Sequence, residues 1–590
     1  DRLSLYWGHT RAAVWGVVRL IANRRTGRPP PPTWLPSSPC LGHADNLPMR
    51  QVANLFWPYR LFLVAVLSLG MILPAAAQTA TPAPPSAAES PLSPPREVSD
   101  DEGAPETAAY PSDAQVEAVV ASMSAADRVG QLFLVTFRGS ETGFDSDIAE
   151  LIYGYRVGGV ILSPAKGNYS NEKGVDTPRQ VASLINRLQA LSYGVLLPEE
   201  RALDPLPEEW PGGEDVLMQE TTNVPPLSLP LFVAVEQSGD NLPATMLRRG
   251  FTPLPSQMAI GATWSPELAN RVGRIVGREL AAVGVNMLLG PNLDVLDQPR
   301  PDQVGRLGAH MFGGDPFWVG QMGRAYITGV HEGGERSVAT IARNFPGAGD
   351  VDRLPEQEIP TVQRSLEELR RVVLPPFLAV TRLPATGDPS QVDPAVTDGM
   401  MSSHVRYSGF QGTGLGRNTP IGLATELSRV LEQEGFAAWR EQGGLMVSGG
   451  LGSPAIRRHY SASAGEFPFR RIALDAFTAG HDLLVLDGFS ADGSWETEKH
   501  NIQETIGFFQ ERYVNDAGFA QRVDAAVRRI VRLKLSLYAE AADSPRAQED
   551  PVLPLAAVLS KEGDLAALDE EPQAAALAEI GQVALESIAI

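Results

Sequence analysis

Six carboxylates fall at or just beyond the ends of short apolar runs: Glu236, Asp294, Asp350, Asp352, Glu356 and Asp487. In an α/β protein that rim is where a scaffold holds reactive groups. A carboxylate placed there can donate or accept a proton, or attack an electrophilic carbon, when its surroundings tune its pKa. Acidic side chains also gather at rims to keep a surface solvated, and Asp294 suits a structural hydrogen-bond acceptor. One rim position breaks the pattern. In Gly443–Ile456, GGLMVSGGLGSPAI, a buried strand over Leu445–Ser448 runs into Gly449-Gly450-Leu451-Gly452 and delivers no functional side chain.

The elements that position these groups alternate. Apolar, β-rich runs occur at 131–137, 157–162, 231–235, 286–289, 338–342, 400–403, 445–448 and 482–486. Between them lie amphipathic stretches at 145–153, 179–191, 266–283, 316–332, 366–381, 425–434 and 469–479, then 501–513 and 516–538. The helical period is plain in Leu268, Val272, Ile275, Val276, Leu280 and Val283. Strict alternation implies parallel strands with right-handed crossovers. Eight such units predict an α/β fold, a (β/α)8 barrel of the TIM type with insertions. An open doubly wound sheet is the competing arrangement, but no phosphate-type glycine loop accompanies it.

Composition narrows the function. The chain has 590 residues and a net charge of −21, with eight Arg and two Asp in residues 1–78. The acidic remainder excludes a nucleic-acid partner, which needs clustered Lys and Arg. The single cysteine, Cys40, excludes a disulfide framework, and the eight histidines show no ligand spacing. No metal and no cofactor is implied.

Around the barrel, residues 1–48 read as a basic leader outside the native protein. Residues 49–77 read as a signal peptide or membrane anchor: Arg50 and Arg60 flank the apolar run Leu61–Leu73, followed by Pro74-Ala75-Ala76-Ala77. About 13 residues fall short of the roughly 20 that span a bilayer, so cleavage after Ala77 is expected. Membrane association would come only through an uncleaved 61–73 anchor, and the expected location is secreted or extracytoplasmic. Residues 78–112 form a Pro/Ala/Ser/Thr-rich linker, 113–540 the barrel, 541–571 a second linker, and 572–590 the start of a truncated second domain. The acidic, proline-rich insertion 192–228 reads as a surface excursion.

Several collinear stretches carry a resemblance: PLFVAVEQSGD (230–240), FTPLPSQMAIGATWSPELANRVGRIVGREL (251–280), GVNMLLGPNLDV (284–295), FGGDP (312–316), SVATIARNFPGAGD (337–350), RSLEELRRVVLPPF (364–377), MSSHVRY (401–407) and AGHDLLVL (479–486). Residues from about 114 to 540 resemble the N-terminal barrel domain of glycoside hydrolase family 3, which includes β-glucosidases and bacterial β-N-acetylhexosaminidases. The terminal ALAEIGQVALESIAI is similar to the opening of the flavodoxin-like second domain of longer members.

The resemblance implies a retaining glycosidase, with a carboxylate nucleophile and a second group that donates and then accepts a proton. The nucleophile of the family's S-D-D-L or T-D-A-L motif falls at Gly449, in Ser448-Gly449-Gly450-Leu451. The acid/base loop K-H-F-P-G-H-G is replaced by Arg343-Asn344-Phe345-Pro346-Gly347-Ala348-Gly349, and the later Asp and His fall around Leu354–Glu356. The sugar-gripping D-Q-E-G-G-R becomes Glu236-Gln237-Ser238-Gly239-Asp240-Asn241, and R-S-F becomes His310-Met311-Phe312. No catalytic set is intact: Gly449, Asn344, Ala348 and Glu356 stand at the altered positions. Ligand-binding candidates are Glu236, Asp294, His310, Arg343, Asn344, His404 and Arg406; His404 equally suits a structural histidine. The expected function is an inactive family 3-like protein that binds glycan, of peptidoglycan type among the candidates, or joins an envelope protein assembly. Two alternatives stay open: an active β-glycosidase with relocated carboxylates, and a scaffold with no sugar site.

Overall fold

A computed structural model describes residues 111–204, 229–239, 245–297, 307–349, 351, 353–383, 393–411, 419–464, 467–539 and 553–588. The leader, the 49–77 segment, nearly all of the 78–112 linker, Asp350 and Asp352 lie outside the described residues. No described helix is long and apolar enough to cross a membrane.

Eight parallel strands make the barrel wall: β1 (Phe133–Val135), β2 (Gly159–Ile161), β3 (Phe232–Val235), β4 (Met287–Leu288), β5 (Ala339–Phe345), β7 (Gly399–Ser402), β9 (Leu445–Val447) and β10 (Leu484–Leu486). They neighbour one another in the order β10-β1-β2-β3-β4-β5-β7-β9. A parallel bridge from Val447 to Leu483 closes the ring. Each expected strand is present, and the barrel is borne out. Most strand residues are buried because the barrel interior and the helical jacket cover both faces, which explains their continuous apolar runs.

Two further strands were not expected. β6 (Thr361–Ser365) and β8 (Arg406–Gly409) pair as a separate parallel ribbon, with Thr361 opposite Arg406 and Val362 opposite Tyr407. The stretch TVQRS alternates exposed and buried positions over five residues, too short a signal beside the helix that follows.

The helices begin where the sequence caps them. Ser265 accepts from Leu268 N ahead of Pro266–Ala282, and Asp315 accepts from Phe317 N and Trp318 N ahead of Pro316–Gly333. The stretch expected as a linker over 541–571 is packed from Leu553 onward. Leu553, Val558 and Leu568 are buried, and Asn186 exchanges two hydrogen bonds with the Ser560 backbone. Apolar residues spaced along an otherwise polar stretch anchor it to the helical jacket. The helix Glu570–Ile588 then lies against Gln257–Ala262 and Pro266–Ala282, burying Ala576 and Val583.

Candidate functional site

The candidate residues collect at one end of the barrel, past the C-terminal ends of the strands. Glu236 follows β3 directly, Arg343 and Asn344 close β5, His404 lies two residues past β7, Gly449 two past β9, and Asp487 one past β10. This is the face on which (β/α)8 proteins build their sites.

On one side a charged network joins four candidates. Arg343 pairs with Glu236. Asn344 Nδ2 donates to Asp294 Oδ2 at 2.9 Å, and the Ala348 amide donates to Asp294 Oδ1 at 2.6 Å. Asp294 is 1% exposed, so desolvation raises its carboxyl above the usual range, against the pull of those two donors. It serves as the structural acceptor that its position suggested. Burial alone would lower the Arg343 guanidinium, but the charges of Glu236, Glu356 and Asp294 outweigh it and hold the cation firmly protonated. The loop carrying Ala348 presses close to the chain after β4: a Cβ at Gly349 would lie 1.9 Å from the Val295 carbonyl oxygen.

Glu356 differs from these partners. Its side chain is open to solvent, yet it stands in a recess ringed by protein, and desolvation raises its carboxyl. Arg343 counters that rise, whereas Glu236 and Asp294 add to it. A solvent-reachable carboxyl shifted upward keeps its proton more readily than an ordinary one, which suits it to proton transfer.

Around Gly449, on the opposite side, the described residues include no carboxyl raised in this way. His404 is 3% exposed, and its Nε2 donates to the Gly450 carbonyl at 3.0 Å. That bond fixes the tautomer and leaves Nδ1 as a buried acceptor without a partner among the described residues. Burial lowers the imidazole to about 4, so it is neutral at pH 7. A Cβ added at Gly449 would stand 2.9 Å from His404 Nε2 and 2.9 Å from the Ser402 carbonyl oxygen. The space that a nucleophilic side chain needs is therefore filled.

Three candidates serve other places. Asp487 pairs with Lys166 Nζ at 2.9 Å and accepts from Thr136 Oγ1 at 3.1 Å, on the far side of the rim. Arg406 donates to the Ile359 carbonyl at 3.2 Å and lines a separate cavity rather than joining the Arg343 network. His310 closes a short helical turn, Leu307–His310, ahead of buried Met311 and Phe312. Sequence reasoning missed Lys166, Thr136 and the Arg364–Asp297 ion pair, in which Arg364 Nη2 donates to both carboxylate oxygens at 2.7 and 2.9 Å. Nothing in their local spacing announces partners 67 positions apart, as for Arg364 and Asp297, or 351 apart, as for Thr136 and Asp487. Among the described residues no cluster of three or more His, Cys, Asp or Glu could hold a metal ion.

Residues 124–533 match the glycosyl hydrolase family 3 N terminal domain. The chain belongs to that family. Among its relatives, a β-hexosaminidase of Hydrogenovibrio crunogenus is 28% identical over 292 residues, spanning 47% of this chain and 71% of its own length. A β-hexosaminidase of Pseudomonas aeruginosa is 36% identical over 178 residues, 30% of this chain and 47% of the relative. The fold is shared with a glycoside hydrolase family 3 β-N-acetylglucosaminidase from Paenibacillus sp. str. FPU-7, at 23% identity and a TM-score of 0.54, covering 79% of this chain and 69% of that one. A fungal multi-domain family 3 β-N-acetylglucosaminidase gives 23% identity and a TM-score of 0.55, covering 77% of this chain and 42% of that one.

Proposed function

We propose that this family 3 barrel binds a β-hexosaminide-type glycan at the mouth and does not hydrolyse it. The observation that carries the reading is His404 standing in the space a side chain at Gly449 would need. A retaining mechanism needs two groups about 5–5.5 Å apart, one attacking and one transferring protons. Among the described residues Glu236 is held by Arg343, Asp294 by Asn344 and Ala348, and Asp487 by Lys166, which leaves Glu356 as the carboxyl disposed to transfer a proton, without an attacking partner there. Arg343 and Asn344, both partly exposed, supply donors suited to sugar hydroxyls. The β-hexosaminidases among the relatives support N-acetylhexosamine as the sugar class. An extracytoplasmic setting is part of the proposal, supported by the apolar run Leu61–Leu73 and the small residues after it.

The test pairs calorimetric titration with N,N′-diacetylchitobiose and a turnover assay on an aryl N-acetylglucosaminide at high protein concentration. Saturable binding without turnover is expected. Turnover abolished by Glu356→Gln would overturn the proposal in favour of an active enzyme with relocated carboxylates, the reading that the raised Glu356 carboxyl favours. Neither binding nor turnover would overturn it in favour of a scaffold.

A further inference from the structure

Beside the mouth, the β6–β8 ribbon walls a cavity of about 610 Å3. Four of its lining residues are arginines, Arg353, Arg364, Arg371 and Arg406, in a chain whose net charge is −21. Its acidic residues are engaged. Asp297 holds Arg364, and Glu358 holds Arg353 at 2.7 Å. Glu368 accepts from the Ser365 amide at 2.7 Å and the Ser365 hydroxyl at 2.8 Å, capping the turn that follows.

Two cations remain over. Arg371 and Arg406 have no carboxylate within ion-pair distance among the described residues. Arg406 spends one Nη2 hydrogen on the Ile359 carbonyl, while its Nε is buried with no hydrogen-bond partner among the described residues. A buried guanidinium N–H facing no acceptor costs free energy that a bound acceptor would return. The ribbon register sets Arg406 opposite Thr361, so its backbone is fixed by neighbouring strands rather than by a loose loop.

We propose that this cavity is an oxyanion site, taking a carboxylate or phosphate group borne by the ligand of the mouth. The planar fork of Arg406 suits two oxygens of one group, and Arg371 supplies the second positive charge. The two sites share their loops: Asp297 follows Asp294 by three residues, Arg406 follows His404 by two, and Arg353 and Glu358 flank Glu356. The link to the mouth's ligand rests on the glycan-binding proposal; the cavity's chemistry does not.

The experiment titrates the full chain with inorganic phosphate, and separately with acetate, by calorimetry and thermal melting, against sodium chloride at matched ionic strength. Phosphate, acetate or both should stabilise the protein beyond chloride, and the arms identify which oxyanion fits. Affinity should fall about tenfold in Arg406→Gln and further in Arg371→Gln/Arg406→Gln. Arg371 is exposed, so Arg371→Gln preserves the fold and reports on the site even where Arg406→Gln does not fold. Equal effects of phosphate, acetate and chloride would overturn the proposal, as would unchanged phosphate and acetate binding in Arg371→Gln and the double variant. Chitobiose is titrated alongside: its binding without any oxyanion effect defeats this inference alone, and an oxyanion effect without chitobiose binding defeats the glycan reading while the cavity stands.

Discussion

His404 and Gly449 are complementary: the imidazole occupies the volume a side chain at position 449 would claim, with Nε2 2.9 Å from the ideal Cβ. They come from neighbouring barrel strands, β7 and β9, whose Met400 and Met446 pair in register. The hydrogen bond from Nε2 to the Gly450 carbonyl then ties the histidine to the loop that lacks the carboxylate. The vacancy at 449 and the seating of His404 thus depend on one another.

Gly449→Asp should therefore destabilise the protein by about 2–4 kcal/mol, from overpacking and from a carboxylate brought against the Ser402 carbonyl oxygen. It should restore no turnover of an aryl N-acetylglucosaminide. Adding His404→Ala removes one of the two obstructing groups, so the double variant should be more stable than the sum of the single costs predicts. Chemical denaturation of all four proteins measures that coupling. Strict additivity would show that the two residues do not compete for the same space.

The barrel was legible because its signals are local and repeated. Most barrel strands lie in apolar runs such as Leu231–Val235, and long helices such as Pro266–Ala282 carry a cap and a periodic face, as Ser265 and Leu268–Leu280 do. The missing side chain at Gly449 was legible too, since a single residue type settles it. What fills the gap was not. His404 reaches Gly450 across 46 positions, and Arg343 reaches Glu236 across 107. Such pairings are set by the barrel's closure, not by spacing along the chain. The reassignment of Arg406 from the mouth to a neighbouring cavity has the same origin, because the β6–β8 ribbon that carries it leaves only a five-residue alternation in the sequence.

The Arg343–Glu236 pair should behave as a unit. Arg343→Gln leaves Glu236 without its counter-charge and removes the cation that restrains the Glu356 carboxyl, whose pKa then rises further. Stability should drop by about 3–5 kcal/mol, as when one member of a partly buried pair is removed. Glu236→Gln in the same protein should recover part of that loss. Thermal melts of the cycle, with chitobiose titrations on each folded member, check both statements.

Two buried histidines should make the protein sensitive to mild acid. His404 and His481 are each lowered from 6.5 to about 4 by burial. Between those values the unfolded chain binds protons that the folded state refuses, so stability falls as pH drops from 6.5 to 4. Each contributes on the order of 3 kcal/mol over that window. His404→Gln keeps a donor for the Gly450 carbonyl but cannot titrate. The stability difference between wild type and this variant should therefore shift steadily against the wild type as pH falls from 6.5 to 4, and level off below. A difference independent of pH would show that His404 is not held neutral.

Asp294 should give the opposite sign. Burial raises its carboxyl above the ordinary value of 3.8, so the folded state takes up a proton more readily than the unfolded chain. The charge is thus a penalty near neutral pH that is relieved on acidification. Asp294→Asn removes the penalty and still offers an oxygen to the Ala348 amide, provided the Asn344 amide turns to accept rather than donate. Near pH 7 the variant should lie within about 1 kcal/mol of wild type, or exceed it. Near pH 4 the wild type should gain relative to the variant. Asp294→Ala, which leaves the Asn344 and Ala348 donors without their acceptor, should instead cost about 2–4 kcal/mol at both pH values. Urea unfolding of the three proteins at the two pH values distinguishes a buried acceptor from a solvated rim carboxylate, for which both substitutions would be nearly silent.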